Sequence, residues 1–180
     1  MKRFVTPENM NGEAVKRIRK QLGLTQKEFA GLVNTSVPTI ERWETSEKEI
    51  NGPIVLLLTL LMENTGLIEK LSIPEKKYQL RMWYMYEQNF CTLIEVDERN
   101  RQVFVKNYTD RILFRAFGRV ENPTYEQYEE WLESRCFPKE RDKMKLMLKE
   151  LNLPFYDPML IVEKTEGRMA EDRFWIKIER

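Results

Sequence analysis

Between Leu24 and Glu44 the chain sets short hydrogen-bond donors and a forked cation at spacings that suit a phosphate backbone and the edges of bases. Gln26 and Lys27 open one helical stretch; Thr35, Ser36 and Thr39 open the next. Small donors at a helix start can bind phosphate oxygens together with the free backbone N–H groups and the positive end of the helix dipole. Arg42 could fork onto guanine or bind phosphate, and Glu41 could accept from cytosine or repel phosphate. Val37 and Pro38 are apolar, so they could only meet thymine methyl groups or exclude other bases by shape. Lys48 adds flanking charge, as do Lys16, Arg17 and Lys20. The candidate DNA-contacting set is therefore Gln26, Lys27, Thr35, Ser36, Val37, Pro38, Thr39, Glu41, Arg42 and Lys48.

Such a set works only if two short helices and a tight turn hold it. Val15, Ile18, Arg19 and Leu22 fall at helical spacing, and Gly23 ends that helix. Thr25 with Glu28 three residues on predicts a reciprocal capping box for the second helix, whose Phe29, Ala30 and Val33 face inward. Asn34 tolerates the positive backbone angle expected at the turn. Ser36 caps the third helix, and Pro38 lies in its first turn, where a missing N–H costs little. Ile40 and Trp43 point into the core. A polar loop is expected over Thr45 to Gly52. Pro53 then opens a fourth helix, whose Ile54, Leu57, Leu58 and Leu61 close the bundle. Leu67 to Leu71 reads as a short fifth helix, and Pro74 to Lys77 as a linker.

Beyond Lys77 the hydrophobic period drops to two. Tyr78 to Tyr86, Phe90 to Val96 and Gln102 to Tyr108 read as strands of an antiparallel meander, with Asp97 to Arg101 as a turn. Helices are expected over Thr109 to Phe117, from Pro123 and Thr124 onward, over Lys139 to Leu151, and from Pro158 to about Lys164. In the third of these, Met144, Met147 and Leu148 form an apolar stripe, and Lys139, Arg141, Lys143, Lys145 and Lys149 give a basic side. Phe174 to Ile178 reads as a closing strand that could pair with the meander. The expected fold class is multidomain, α followed by α+β: a four- to five-helix bundle over 1–73, a linker at 74–77, and a meander with helices over 78–180.

Composition narrows the function classes. Of 180 residues, 30 are Lys or Arg and 29 are Asp or Glu, so the net charge is +1 and bulk charge cannot coat nucleic acid. Binding must come from a local patch and good geometry. Histidine is absent, which removes the commonest general base and makes a conventional zinc site hard to build. Cys136 follows Arg135 without an accompanying base, so it is expected in the core, and a single disulfide with Cys91 is left open. No apolar run reaches a membrane-spanning length, and the N-terminus lacks an apolar signal region. The expectation is a cytoplasmic non-enzyme with no cofactor, no metal and no membrane partner.

The N-terminal third resembles the lambda-repressor-like helix-turn-helix regulators, the xenobiotic response element family. The residues that carry this are Ile18-Arg19, Gly23-Leu24-Thr25-Gln26, Phe29-Ala30, Thr39-Ile40 and Trp43-Glu44, in order across about Asn11 to Leu61. Asn34 departs from the family's usual glycine. The resemblance implies a structural pair of Arg19 with Glu44. Gly52-Pro53 before a leucine-rich helix is similar to the DNA-binding half of antitoxins of the MqsA type, without their zinc-binding half. The C-terminal half resembles small domains of bacterial toxin–antitoxin or mobile-element loci.

Together these imply a sequence-specific regulator that represses a promoter, its own or another, as a homodimer on a near-palindromic stretch of double-stranded DNA. The C-terminal domain would dimerise, sense an effector or hold a partner. The alternative is an antitoxin whose C-terminal domain neutralises a toxin while the N-terminal domain autoregulates the operon.

Overall fold

The structure is a computed structural model and describes residues 2–140 and 142–179; Arg141, expected on a basic helix side, lies outside them. The chain forms two compact units, one ending at Ile73 and one starting at Pro74. The architecture is α in the first and α+β in the second.

The first unit runs β1 (Asn9–Met10), α1 (Gly12–Gln21), α2 (Gln26–Leu32), α3 (Val37–Thr45), β2 (Ile50–Asn51), α4 (Pro53–Glu63) and α5 (Gly66–Leu71). Each of the first three helices starts on a side-chain cap. Asn11 Oδ1 accepts from the Ala14 N–H at 2.9 Å, Thr25 Oγ1 from Glu28 at 3.2 Å, and Ser36 Oγ from Thr39 at 3.3 Å. The Glu28 carboxylate returns to the Thr25 N–H at 2.7 Å and closes the capping box. Val15, Phe29, Ile40, Val55 and Leu58 have essentially no exposed surface and form the core.

Two expectations are corrected by this unit. The loop from Thr45 to Gly52 is not wholly polar in role. Ile50 is buried, and Ile50–Asn51 pairs antiparallel with Asn9–Met10. A strand of two residues has no period to read. Leu57, expected to close the bundle, is instead exposed; Val55, Leu58 and Leu61 face the core, three residues apart on one side of α4.

The start of α1 lies directly against the end of α3. A Cβ added at Gly12 would stand 2.5 Å from the Trp43 carbonyl oxygen and 3.0 Å from that of Glu44. Both are backbone atoms and cannot swing aside. Gly12→Ala is therefore expected to destabilise the first unit by about 1–3 kcal/mol. Calorimetry checks this; an unchanged first-unit transition would contradict the close approach.

The second unit contains β3 (Leu80–Tyr86), β4 (Asn89–Asp97), β5 (Gln102–Asn107), a single 3₁₀ turn (Ile112–Phe114), α6 (Tyr125–Ser134), α7 (Met144–Glu150), α8 (Pro158–Thr165) and β6 (Phe174–Glu179). Its sheet is antiparallel in the order β5-β4-β3-β6, so the closing strand does pair with the meander, opposite β3. One sheet face carries Met82, Tyr84, Ile94, Val96 and Ile176 into a core shared with Tyr128, Trp131 and Leu132 of α6 and Ile161 and Val162 of α8. The other face carries Trp83, Met85 and Leu93, with Tyr108 and Trp175 packed on them.

Buried polar groups lock both ends of this unit. Glu95, fully buried on β4, accepts from Arg81 Nε at 2.7 Å and from Arg81 Nη2. Its second oxygen accepts from the backbone N–H groups of Lys77 at 2.7 Å and Tyr78 at 3.2 Å, and Arg81 Nη2 donates to the Pro74 carbonyl at 2.8 Å. The segment expected as a linker is thus clamped to the sheet. At the other end Arg135 donates to the Gly167 carbonyl at 2.7 Å and to Asp172 at 2.6 Å, which fixes the loop before β6.

Two expected helices differ. Thr109 to Phe117 forms only the 3₁₀ turn, because Phe114 is drawn onto the rings of Tyr86 and Phe174, at 4.6 and 5.7 Å between centroids. The helix expected from Lys139 starts at Met144. Lys143 holds a left-handed backbone conformation (φ 64°) that an α-helix cannot continue through. Among the described residues no helix is long and apolar enough to cross a membrane.

Candidate nucleic-acid interface

The geometry of the candidate site follows from how α3 is held. Asn34 takes the expected left-handed conformation (φ 52°), and the Thr35 N–H donates to the Ala30 carbonyl at 2.9 Å, closing the turn after α2. Ser36 Oγ lies 2.9 Å from Thr39 Oγ1, so these two hydroxyls share a hydrogen bond at the head of α3. Ile40 then anchors the inner side and is fully buried.

The inner side is also held by charge. Arg19 Nε donates to Glu44 Oε1 at 2.6 Å and Arg19 Nη2 to Glu44 Oε2 at 3.0 Å, a two-pronged pair with side chains only 12% and 3% exposed. Arg19 Nη1 also donates to the Leu24 carbonyl at 3.0 Å. The implied pair is therefore present, and it ties α1, the turn before α2, and α3 together. Gln26 joins it: its Nε2 donates to Glu44 Oε2 at 3.0 Å. Sequence reasoning assigned Gln26 only a phosphate role. A contact between residues so far apart leaves no local signal.

The Arg19 hydrogen bond holds the Glu44 carboxyl below the usual carboxylate range, against the opposing effect of burial. A carboxylate with a depressed folded-state pKa contributes stability above its unfolded value, about 4.3, and loses it as the pH falls through the folded value. The first unit is expected to melt lower as pH drops below about 4, and Glu44→Gln should flatten that dependence. Melting curves across this range check it; an equally steep loss in the variant would contradict the assignment.

With its inner side fixed, α3 turns Pro38, Glu41, Arg42 and Thr45 outward, all exposed. Ser36 is exposed at its head, and Lys27 and Lys48 are exposed on the flanking segments. Thr35, Thr39 and Gln26 are half-buried. Val37 is half-buried as well and packs against the first-unit core, so less of its side chain is available than its place in the sequence suggests. Thr45, which sequence reasoning placed in the loop, sits on the same outer side as Glu41, one turn away, and its hydroxyl donates to the Glu41 carbonyl at 2.8 Å.

A short helix with a braced inner side and a row of outward polar groups, entered through a tight turn from another short helix, is the geometry that places side chains in a major groove. Residues 15–62 match the family model for the helix-turn-helix. No characterised protein and no solved structure matches the chain. The matched residues run from within α1 to near the end of α4, and the match supports a DNA-binding regulator.

Outside the helix-turn-helix, the two cysteines are taken up structurally. Cys91 and Cys136 are both free thiols and both buried in the second-unit core. Burial pushes the Cys136 thiol up to about 12, which keeps it protonated and a poor nucleophile. Among the described residues no group of three or more Cys, Asp or Glu side chains is disposed to hold a metal ion.

Proposed function

We propose that this protein is a dimeric, sequence-specific repressor that occupies a near-palindromic operator, its own promoter included. The observation that carries this reading is the division of α3. Ile40 and Glu44 fix its inner side, while Pro38, Glu41 and Arg42 stand free on the outer side. Arg42 forks onto guanine or phosphate; Ser36, Thr39, Lys27 and Lys48 take phosphates. Val37 contributes through its exposed edge only. One short helix on a chain of net charge +1 binds weakly, so two copies supply the affinity. The second unit holds an effector or partner.

Selection of bound sequences from random duplex DNA tests this with the full chain. The expected outcome is an inverted repeat with half-sites about one helical turn (~34 Å) apart. A selected pool no different from the starting library would overturn the reading. Co-purification of a small protein with the chain would instead support the antitoxin alternative.

A further inference from the structure

The helices of the second unit lie on one side of its sheet. α6, α7, α8 and the 3₁₀ turn all pack into the core on the Met82 face. Among the described residues no helix side chain belongs to the apolar cluster on the Trp83 face. Trp83, Met85 and Leu93 form the floor of that cluster and are at most 5% exposed. Phe90 meets the Trp83 ring edge-on, with 5.1 Å between centroids, and Tyr108 lies 5.9 Å from the same ring. Trp175 stands opposite Met85 on β6. Phe90 is 50% exposed, and Tyr108 and Trp175 are half-buried, so three aromatic side chains remain partly open above the floor.

Cations frame these rings. The strand register puts Lys106 of β5 and Lys177 of β6 level with Leu93 and Trp83, one on each outer strand. Three strand spacings separate the two, about 14 Å. Arg168 lies over the Trp175 ring at 4.8 Å, and Lys77 over the Phe104 ring at 4.3 Å. On the acidic side, Glu95 is committed to Arg81, and Glu179 accepts from the Trp83 indole N–H at 3.0 Å. A chain of net charge +1 thus gathers cations around aromatic rings on one surface. We propose that this sheet face binds single-stranded RNA, which is then the partner of the second unit. Partly open rings stack on bases, and lysines on either side take the phosphates. A duplex keeps its base faces covered, so only a single strand can use the rings. A second copy docked face to face would set lysine against lysine. Glu179 repels a phosphate close by, but it can accept from a 2′-hydroxyl, which RNA has and DNA lacks.

Fluorescence anisotropy of a labelled oligouridylate of about 12 nucleotides with the full chain tests this. The wild type is expected to bind at micromolar concentration. Phe90→Ala should weaken binding roughly 5- to 100-fold, the loss of one stacked base. Phe90→Leu should weaken it as much and Phe90→Trp should keep it, because a ring and not bulk is required. Lys177→Ala should lower the salt slope by about 0.7. Phe90 and Lys177 are exposed, so circular dichroism melting should show every variant folded, and none should lose the operator selected above. Arg42→Ala should do the reverse, losing the operator and keeping the oligouridylate, so the two readings stand or fall separately. A wild type that does not bind, or folded Phe90→Ala and Lys177→Ala variants that bind as tightly, would overturn the inference. Equal affinity for oligodeoxyuridylate would also overturn it, since the 2′-hydroxyl contact would then be absent. A co-purifying protein that Phe90→Ala releases, with no oligouridylate binding, would assign the face to a protein instead.

Discussion

Glu95→Ala is expected to lower the melting temperature of the second unit by more than about 10 °C, a larger loss of stability than Gly12→Ala should cause in the first. Glu95 is fully buried, and both of its oxygens are in use. Removing it leaves the Arg81 guanidinium, 5% exposed, without its counter-charge. It also strips the acceptor from the Lys77 and Tyr78 N–H groups. Removing one partner of a buried ion pair costs about 3–5 kcal/mol, most of it for the charge left behind. A second, sharper expectation follows from the stranded charge. The double variant Arg81→Met with Glu95→Leu should recover much of the loss, because no unpaired charge then remains in the sheet. Calorimetry of the two single variants and the double decides it. A double variant as unstable as the sum of the singles would mean that the pair's geometry, not its stranded charge, sets the cost.

Arg42→Ala is expected to weaken binding to the selected operator by about 10- to 100-fold, the equivalent of one lost two-pronged base contact. Arg42 is exposed on the outer side of α3 and is not part of the core, so the melting temperature should not move. Fluorescence anisotropy at several salt concentrations separates its two roles. A base contact should leave the salt slope unchanged and relax the preference at one operator position. A phosphate contact should reduce the slope by about one and weaken all sequences alike, as is expected for Lys48→Ala. Unchanged affinity with an unchanged slope would remove Arg42 from the interface.

Much of the first unit was legible because its signals are local. The Thr25–Glu28 capping box, the left-handed Asn34 and the Ser36 cap each depend on residues within four positions of one another. The Arg19–Glu44 pair was legible only through the family resemblance, and the addition of Gln26 to it was not legible at all. Leu57 was misplaced because every face of α4 is apolar, so periodicity could not tell the inner side from the outer. The second unit shows the same division. Thr124 begins α6 with a capping box to Gln127, in keeping with its position at the head of an expected helix. The Arg81–Glu95 pair depends on the β3–β4 register, and the alternation of β3 carried no sign that both of its faces would be buried. Phe114 shows tertiary packing overriding local preference: three aromatic rings meet, and the helix expected there does not form.

On the proposed reading, DNA recognition by this chain depends on the outer side of α3 entering the groove. Glu41→Cys, coupled through its thiol to an iron chelate that cleaves nearby DNA, measures this directly; Cys91 and Cys136 are buried, so the label goes to position 41. Bound to the selected operator, the labelled protein should cut within a few nucleotides at the centre of each half-site. An even ladder of cleavage would contradict the account.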